Sequence, residues 1–284
     1  MRKILIPTDF SDNAMNAAHY GVDLFKYEIS EFYFMHAYQD EIYAEEHALT
    51  RESLEQTKKA VSKRSDEQLQ EFLKNVKKYS PNPKHKHHII SSNSLLLDEA
   101  DKIVDEENID IVVMGTRGKT NDKNLTFGSH TLQVLKYVQC PVLAIPENYK
   151  YTQPRHILFP TNYMIPFKRR ELKLLCEMAS PYRAVIDMLY ISKTEKLSMR
   201  QEDNRDFVKE TLCKNTINFK VAKSKDILDT IYKYIKENNI DMLVMVNTRH
   251  SFLENIIFQS TIDELSLNLN IPLLALQNMK RDEL

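Results

Sequence analysis

Residues 109–131 read IDIVVMGTRGKTNDKNLTFGSHT, and the way this stretch stops and restarts decides the fold. The apolar run Ile111, Val112, Val113, Met114 has the length of a buried strand and ends at Gly115. A polar loop containing Gly118 follows, and regular structure resumes at Gly128-Ser129. The chain has four glycines, and three of them lie here. Glycine admits close backbone approach or a positive φ, so scarce glycine gathered in one loop marks that loop as the first candidate for function.

Upstream, residues 2–8 (RKILIPT) form a short apolar run closed by Pro7-Thr8-Asp9. Ser11 or Asp12 offers an N-cap, and Ala14, Ala17, Ala18, Val22 and Phe25 recur at helical spacing. Residues 32–38 (FYFMHAY) read as a second strand. From 42 to 79 the composition is charged with sparse apolar positions, which predicts one long exposed helix or two in series. Ser80-Pro81-Asn82-Pro83 breaks it. A third strand is expected at 85–91 and a helix at 95–107. The glycine stretch gives the fourth strand at 109–114 and a helix at 129–137, and 141–145 (PVLAI) gives the fifth strand. Strands alternating with helices predict a parallel sheet covered on both faces.

The pattern then restarts. Residues 147–154 read as a linker, and RHILFPTNY (155–163) echoes RKILIPTDF (2–10) position by position. Ile240 to Pro272 echoes Ile109 to Pro141 without a gap. The separation between copies falls from 153 residues at the first match to 131 at the second, so the second copy has lost length in between. The long charged helical stretch is the expected place. The copies differ at the loop: Gly115, Gly118 and Gly128 become Val246, Arg249 and Gln259, and Asp9 becomes Asn162. The apolar framework is kept. The expected domains are 1–147, with the site, and 155–279, with a degenerate one.

Net charge is −1, with no basic footprint for nucleic acid or an anionic membrane. The apolar stretch near the N-terminus is too short for a signal peptide, and no apolar run approaches a membrane span. The terminal Arg281-Asp282-Glu283-Leu284 reads as a chance likeness to a retrieval signal. Three widely spaced cysteines, Cys140, Cys176 and Cys213, fit a reducing compartment, so a cytoplasmic location is expected.

A loop that leaves a parallel strand and enters a helix presents free N–H groups and a positive dipole, which suits phosphate. Ser129 and Thr131 add hydroxyls, and Arg117 and Lys119 add cations. If strands one and four are neighbours, Asp9 faces the same crevice and can accept from ribose or base. Without a ligand, the same residues make a tight turn and a helix cap.

The spacing Gly115-x2-Gly118-x9-Gly128-Ser129, with Pro7-Thr8-Asp9, resembles the ATP-binding pattern of the universal stress protein family, and the likeness covers both halves. The resemblance implies two adenine-nucleotide alpha-hydrolase-like (Rossmann-like) α/β domains. Each would be a five-stranded parallel sheet of order 3-2-1-4-5, the two packed as an intrachain pseudo-dimer, with a homodimer as a further option. It implies ATP as ligand, with ADP or AMP as alternatives and Mg2+ as an optional companion. Asp9 would contact adenosine, with Pro7 and Thr8 lining it and His36 and Ala37 flanking adenine. Met114 and Gly115 would border base or ribose, Arg117 and Gly118 the ribose or phosphates. Gly128, Ser129, His130 and Thr131 would hold phosphates. His130 departs from the small aliphatic residue usual there.

Gly115-Thr116-Arg117-Gly118-Lys119-Thr120 falls short of a Walker A loop, which needs four residues before Gly-Lys. His85, His87 and His88 have a usable metal spacing but read as a solvated strand start beside lysines. Two further functions remain open from the residues. One is a slow ATPase or phosphotransferase, for which Asp9 and Asp122 are the available carboxylates. The other is an interaction protein that uses no nucleotide.

Overall fold

The computed structural model describes residues 1–44, 51–118, 127–164, 167–194, 196–212, 214–247 and 269–277. By internal contacts the chain divides into two units, one within residues 1–140 and one running on from Pro141.

The first unit begins with β1 (Arg2–Pro7), whose Ile4, Leu5 and Ile6 are fully buried. In α1 (Asp12–Leu24), the Ser11 side chain caps the start by accepting from Ala14 N at 3.2 Å. Its small residues let it lie close on the sheet: a Cβ on Gly21 would stand 3.4 Å from Ile6 and 3.5 Å from Val113. β2 (Ser30–Ala37) is followed by α2 (Gln39–Ala44) and the 29-residue α3 (Arg51–Tyr79), the series expected from composition. α3 buries Val61, Leu69, Phe72 and Val76, and its charged face is laced by pairs such as Lys58–Glu55. β3 (His85–Ser92), α4 (Leu96–Glu106), β4 (Ile111–Gly115) and α5 (Ser129–Tyr137) complete the unit. Its strands lie in the order β3-β2-β1-β4, all parallel. β1 and β4 are therefore neighbours, with Ile4 opposite Ile111, as the crevice requires.

The second unit contains β5 (Val142–Ile145), β6 (His156–Thr161), α6 (Arg169–Ala179), β7 (Val185–Ser192), α7 (Met199–Thr211), β8 (Thr216–Lys223), α8 (Ile227–Asn238), β9 (Met242–Asn247) and β10 (Leu273–Gln277). Strands β8-β7-β6-β9-β10 run parallel in the expected order of one domain. The duplication extends to side chains. Asp110 Oδ2 accepts from Lys3 N at 2.9 Å, and Asp241 Oδ2 accepts from His156 N at 2.9 Å. α7 has 13 residues where α3 has 29, so length was lost in the helix after the second strand.

One detail departs from two separate parallel sheets. β5 pairs antiparallel with β10, Leu143 opposite Leu274, and belongs by contacts to the second unit. All four β5 residues are buried, and an edge strand of that character needs its backbone groups paired. β10 is its counterpart in the duplication and offers a matching edge. The sheet edges also depart from uniform burial, since β3 and β8 are largely half-buried or exposed.

Candidate functional site

The site is built where β1 and β4 end. Beyond Pro7, the buried Thr8 accepts from Phe10 N at 3.0 Å, and Asp9 Oδ1 accepts from Ser11 N at 3.0 Å. This turn puts Phe10 at φ 63° and aims the second Asp9 oxygen at the glycine loop. A Cβ on Gly118 would stand 2.5 Å from Asp9 Oδ2, so the loop backbone passes the carboxylate at a distance only glycine allows. None of the four glycines has a positive φ; Gly115 and Gly118 serve close approach.

Asn13 is the member that the sequence reading missed. It sits in the first turn of α1, is buried, and donates from Nδ2 to Arg117 O at 2.8 Å. A Cβ on Gly115 would fall 2.6 Å from that Nδ2. Asn13 Oδ1 is buried without a hydrogen-bond partner among the described residues. The available signal was an amide on the same helical stripe as Ala17 and Gly21.

The far side of the loop is the start of α5. Gly128 is its N-cap, with its own N–H donated to Thr116 O at 2.8 Å. Leu132 N to Gly128 O is the first helical bond, so the N–H groups of Ser129, His130 and Thr131 precede the ladder. A Cβ on Gly128 would meet nothing closer than 3.6 Å. Ser129 is exposed. Thr131 is buried, and its hydroxyl donates to Gly115 O at 2.9 Å, which ties the helix start to the strand end. His130 is exposed and lies 3.7 Å from Asp40.

The structure thus brings Asp9, Asn13, Gly115, Arg117, Gly118 and Gly128 together. Met114 is buried in β4 behind them. His36 ends β2 with its ring engaged elsewhere: Nδ1 lies 2.9 Å from Ser65 Oγ and Nε2 3.2 Å from Glu41. Ala37, half-buried, is the more open end of that strand. Lys119 and Asp122 lie outside the described residues.

In the second unit the turn is copied without its carboxylate. Thr161 accepts from Tyr163 N, Asn162 Oδ1 accepts from Met164 N at 2.9 Å, and Tyr163 has φ 54°. Val246, which replaces Gly115, lines with Phe167, Glu171 and Leu276 a space of about 10 Å³, the room of about one water. The neighbouring Asn247 is closed off by a bond to Gln277 at 2.9 Å. Arg249 and Gln259 lie outside the described residues.

Of the three strand-three histidines, His88 is exposed as a solvated start predicts, His87 is half-buried and only His85 departs fully from that expectation. His85 is buried, with Nε2 3.2 Å from Phe25 O, and burial holds both His85 and His87 below the usual imidazole range. Among the described residues, no group of three or more His, Cys, Asp or Glu is placed to hold a metal, and no helix is long and apolar enough to cross a membrane.

A strand-end carboxylate against a glycine loop that opens a helix is the arrangement shared by Rossmann-like nucleotide folds. The profile of the universal stress protein family matches residues 1–146, and the chain belongs to that family. Universal stress protein MJ0531 of Methanocaldococcus jannaschii is 30% identical over 144 residues, covering 51% of this chain and 81% of that protein. Universal stress protein MJ0577 of the same organism is 29% identical over 152 residues, covering 51% and 94%. The crystal structure of a universal stress protein from Archaeoglobus fulgidus superposes with a TM-score of 0.70 at 16% identity and covers 98% of each chain. A functionally unknown protein from Pseudomonas aeruginosa, PA1789, gives 0.54 at 11% identity, covering 98% and 92%. At these identities the two structures show the fold, and they extend it over both halves.

Proposed function

We propose that this protein is a regulatory module that binds an adenine nucleotide, ATP foremost, in its N-terminal half only. The observation that carries the reading is the approach of the loop to Asp9: glycine stands where any side chain would strike the carboxylate, 2.5 Å away. Around it are groups that a nucleotide would use. Asp9, Pro7 and Thr8 would hold the adenosine, with Ala37 beside the base. The orphaned Asn13 Oδ1 is an acceptor awaiting a donor. Arg117 and the free first turn of α5 at Ser129 and His130 would take the phosphates. Thr131 would act by fixing the helix start, since its proton is committed to Gly115. The second half keeps the fold but carries Val246, Arg249, Gln259 and Asn162 at the positions of Gly115, Gly118, Gly128 and Asp9. Occupancy would bridge the β1 end, the loop and α5, and so couple nucleotide level to the surface these present.

Calorimetry of the full chain with ATP tests this. Wild type is expected to bind. Gly128→Gln, which installs the residue the second copy carries at this position, is expected to lose binding while melting cooperatively, because a Cβ has room there. No binding by wild type, or unchanged binding by the variant, would overturn the reading. With Mg2+ and labelled ATP, turnover no faster than in solution is expected. Faster release of phosphate would favour the slow hydrolase instead.

A further inference from the structure

In the first unit, the ring of Phe10 lies against His36 at 4.4 Å, and α3 fills the space beside them. Ser65 Oγ of α3 is 2.9 Å from His36 Nδ1 and 2.8 Å from Ser91 Oγ of β3. The second unit repeats the frame without the filling. Strand register makes Tyr190 the counterpart of His36, because Lys3 pairs with Glu31 and its copy His156 with Val185, each five residues earlier. Tyr163 is the counterpart of Phe10, and its ring is 5.8 Å from Tyr190. Val221, opposite Tyr190 in register, is the counterpart of Ser91, opposite His36. Because α7 starts only at Met199, these residues line a cavity of about 370 Å³. That is within the range of about 300–1,000 Å³ typical of small-molecule sites.

From this we infer that the second unit carries a pocket of its own for a small planar aromatic anion, opened by the shortening of α7.

Two observations give the chemistry. The first is the pair of tyrosines, only 2% and 4% exposed, whose rings lie 5.8 Å apart. Their rings and Phe219 supply flat apolar walls. The second is charge. Lys196, Arg205 and Lys220 line the cavity against a single carboxylate, Glu202. Lys196 and Lys220 make no ion pair among the described residues, and Arg205 reaches only its chain neighbour Asp206, at 3.6 Å. Burial raises the Tyr163 pKa and the Arg205 charge opposes it, so the guanidinium field reaches that phenol. The walls are held in place. Gln201 and Asn204 of α7 donate to the carbonyls of Asn162 and Tyr163 at 2.7 Å each, and Ser198 and Gln201 close a capping box. A preformed, positively charged slot of this size fits one ring or a fused pair bearing a carboxylate or phosphate.

The test uses the full chain, ligand-observed NMR and calorimetry, with 4-hydroxybenzoate and phenyl phosphate as probes. Benzyl alcohol and inorganic phosphate separate the ring from the charge. The aromatic anions are expected to bind with Kd of about 1 mM or tighter, and each control at least about tenfold more weakly. Arg205→Gln and Tyr190→Leu should each weaken binding by at least about tenfold. Leu197→Trp, which fills the cavity, should abolish it while cooperative melting persists. Gly128→Gln should leave it unchanged, which separates this pocket from the nucleotide reading. Lack of binding by either probe, equal binding of benzyl alcohol, or full affinity in Arg205→Gln or Leu197→Trp would overturn the inference.

Discussion

A Cβ on Gly118 would stand 2.5 Å from Asp9 Oδ2, and one on Gly115 2.6 Å from Asn13 Nδ2, whereas one on Gly128 would have 3.6 Å of clearance. The three glycines therefore make separate predictions. Gly115→Ala and Gly118→Ala force polar side chains off their hydrogen bonds and are expected to cost about 1–3 kcal/mol, as overpacking does. Gly128→Ala leaves an N-cap position without a clash and should cost less than about 2 kcal/mol. Urea unfolding of the three variants would show this order, and equal losses would contradict it. Scarcity made all three glycines visible in the sequence, but it could not separate close approach from a required positive φ. Asn13 was invisible for another reason. Its role exists only because α1 packs on the sheet and carries the amide to Arg117 O. Asn13→Ala is expected to lower ATP affinity in calorimetry by removing a buried acceptor that has no partner among the described residues, with cooperative unfolding retained.

At the scale of elements, β3 shows how packing overrides local composition. The run His85-Lys86-His87-His88 beside Lys84 reads as solvated, yet α3 packs on this strand, and His85 is buried against Phe25 and Phe32. Burial, with Lys77 and the neighbouring histidines acting in the same direction, holds His87 down at about 4. An unfolded histidine titrates near 6.5. Above that pH both states are neutral and the group contributes nothing to pH dependence. As pH falls from about 6.5 toward 4, the unfolded chain binds a proton that the folded chain refuses, so stability falls. His85 and His19, both lowered by burial, act with the same sign. The urea midpoint should therefore decline over this range, and His87→Gln should flatten the decline. A variant as steep as wild type would remove His87 from the account. The helices themselves were more legible than the strand they cover. Ser80-Pro81 stopped the α3 pattern, and the shrinking spacing between copies announced the short α7. The cavity left by that loss needed coordinates, because it depends on which side chains α3 had inserted.

At the scale of the whole molecule, the duplication was legible because both copies keep their apolar framework, while strand order was an expectation carried by the family resemblance. The partner of β5 was not legible, since periodicity reports burial and never the identity of the neighbour. The pairing has a symmetry that makes it testable. Leu143 and Leu274 are equivalent residues of the two copies and stand opposite each other. Around them, Ala144 faces Leu273 and Val142 faces Ala275, each the counterpart of the other's position. A second copy of β5 could therefore replace β10 in the same register, Leu143 against Leu143. Val142 to Ile145 are fully buried, so a fragment of residues 1–150 would expose them along an edge with unpaired backbone groups. The fragment is expected to sediment as a dimer, an arrangement that satisfies both edges at once. Leu143→Lys in the fragment should shift it to monomer, because two ammonium groups would meet at the centre of the pairing. In the full chain the same substitution faces Leu274 and meets no second charge, so it should lower stability without changing mass. A wild-type fragment that is folded and monomeric would show that β5 does not depend on an antiparallel partner, and would overturn this account of its pairing with β10.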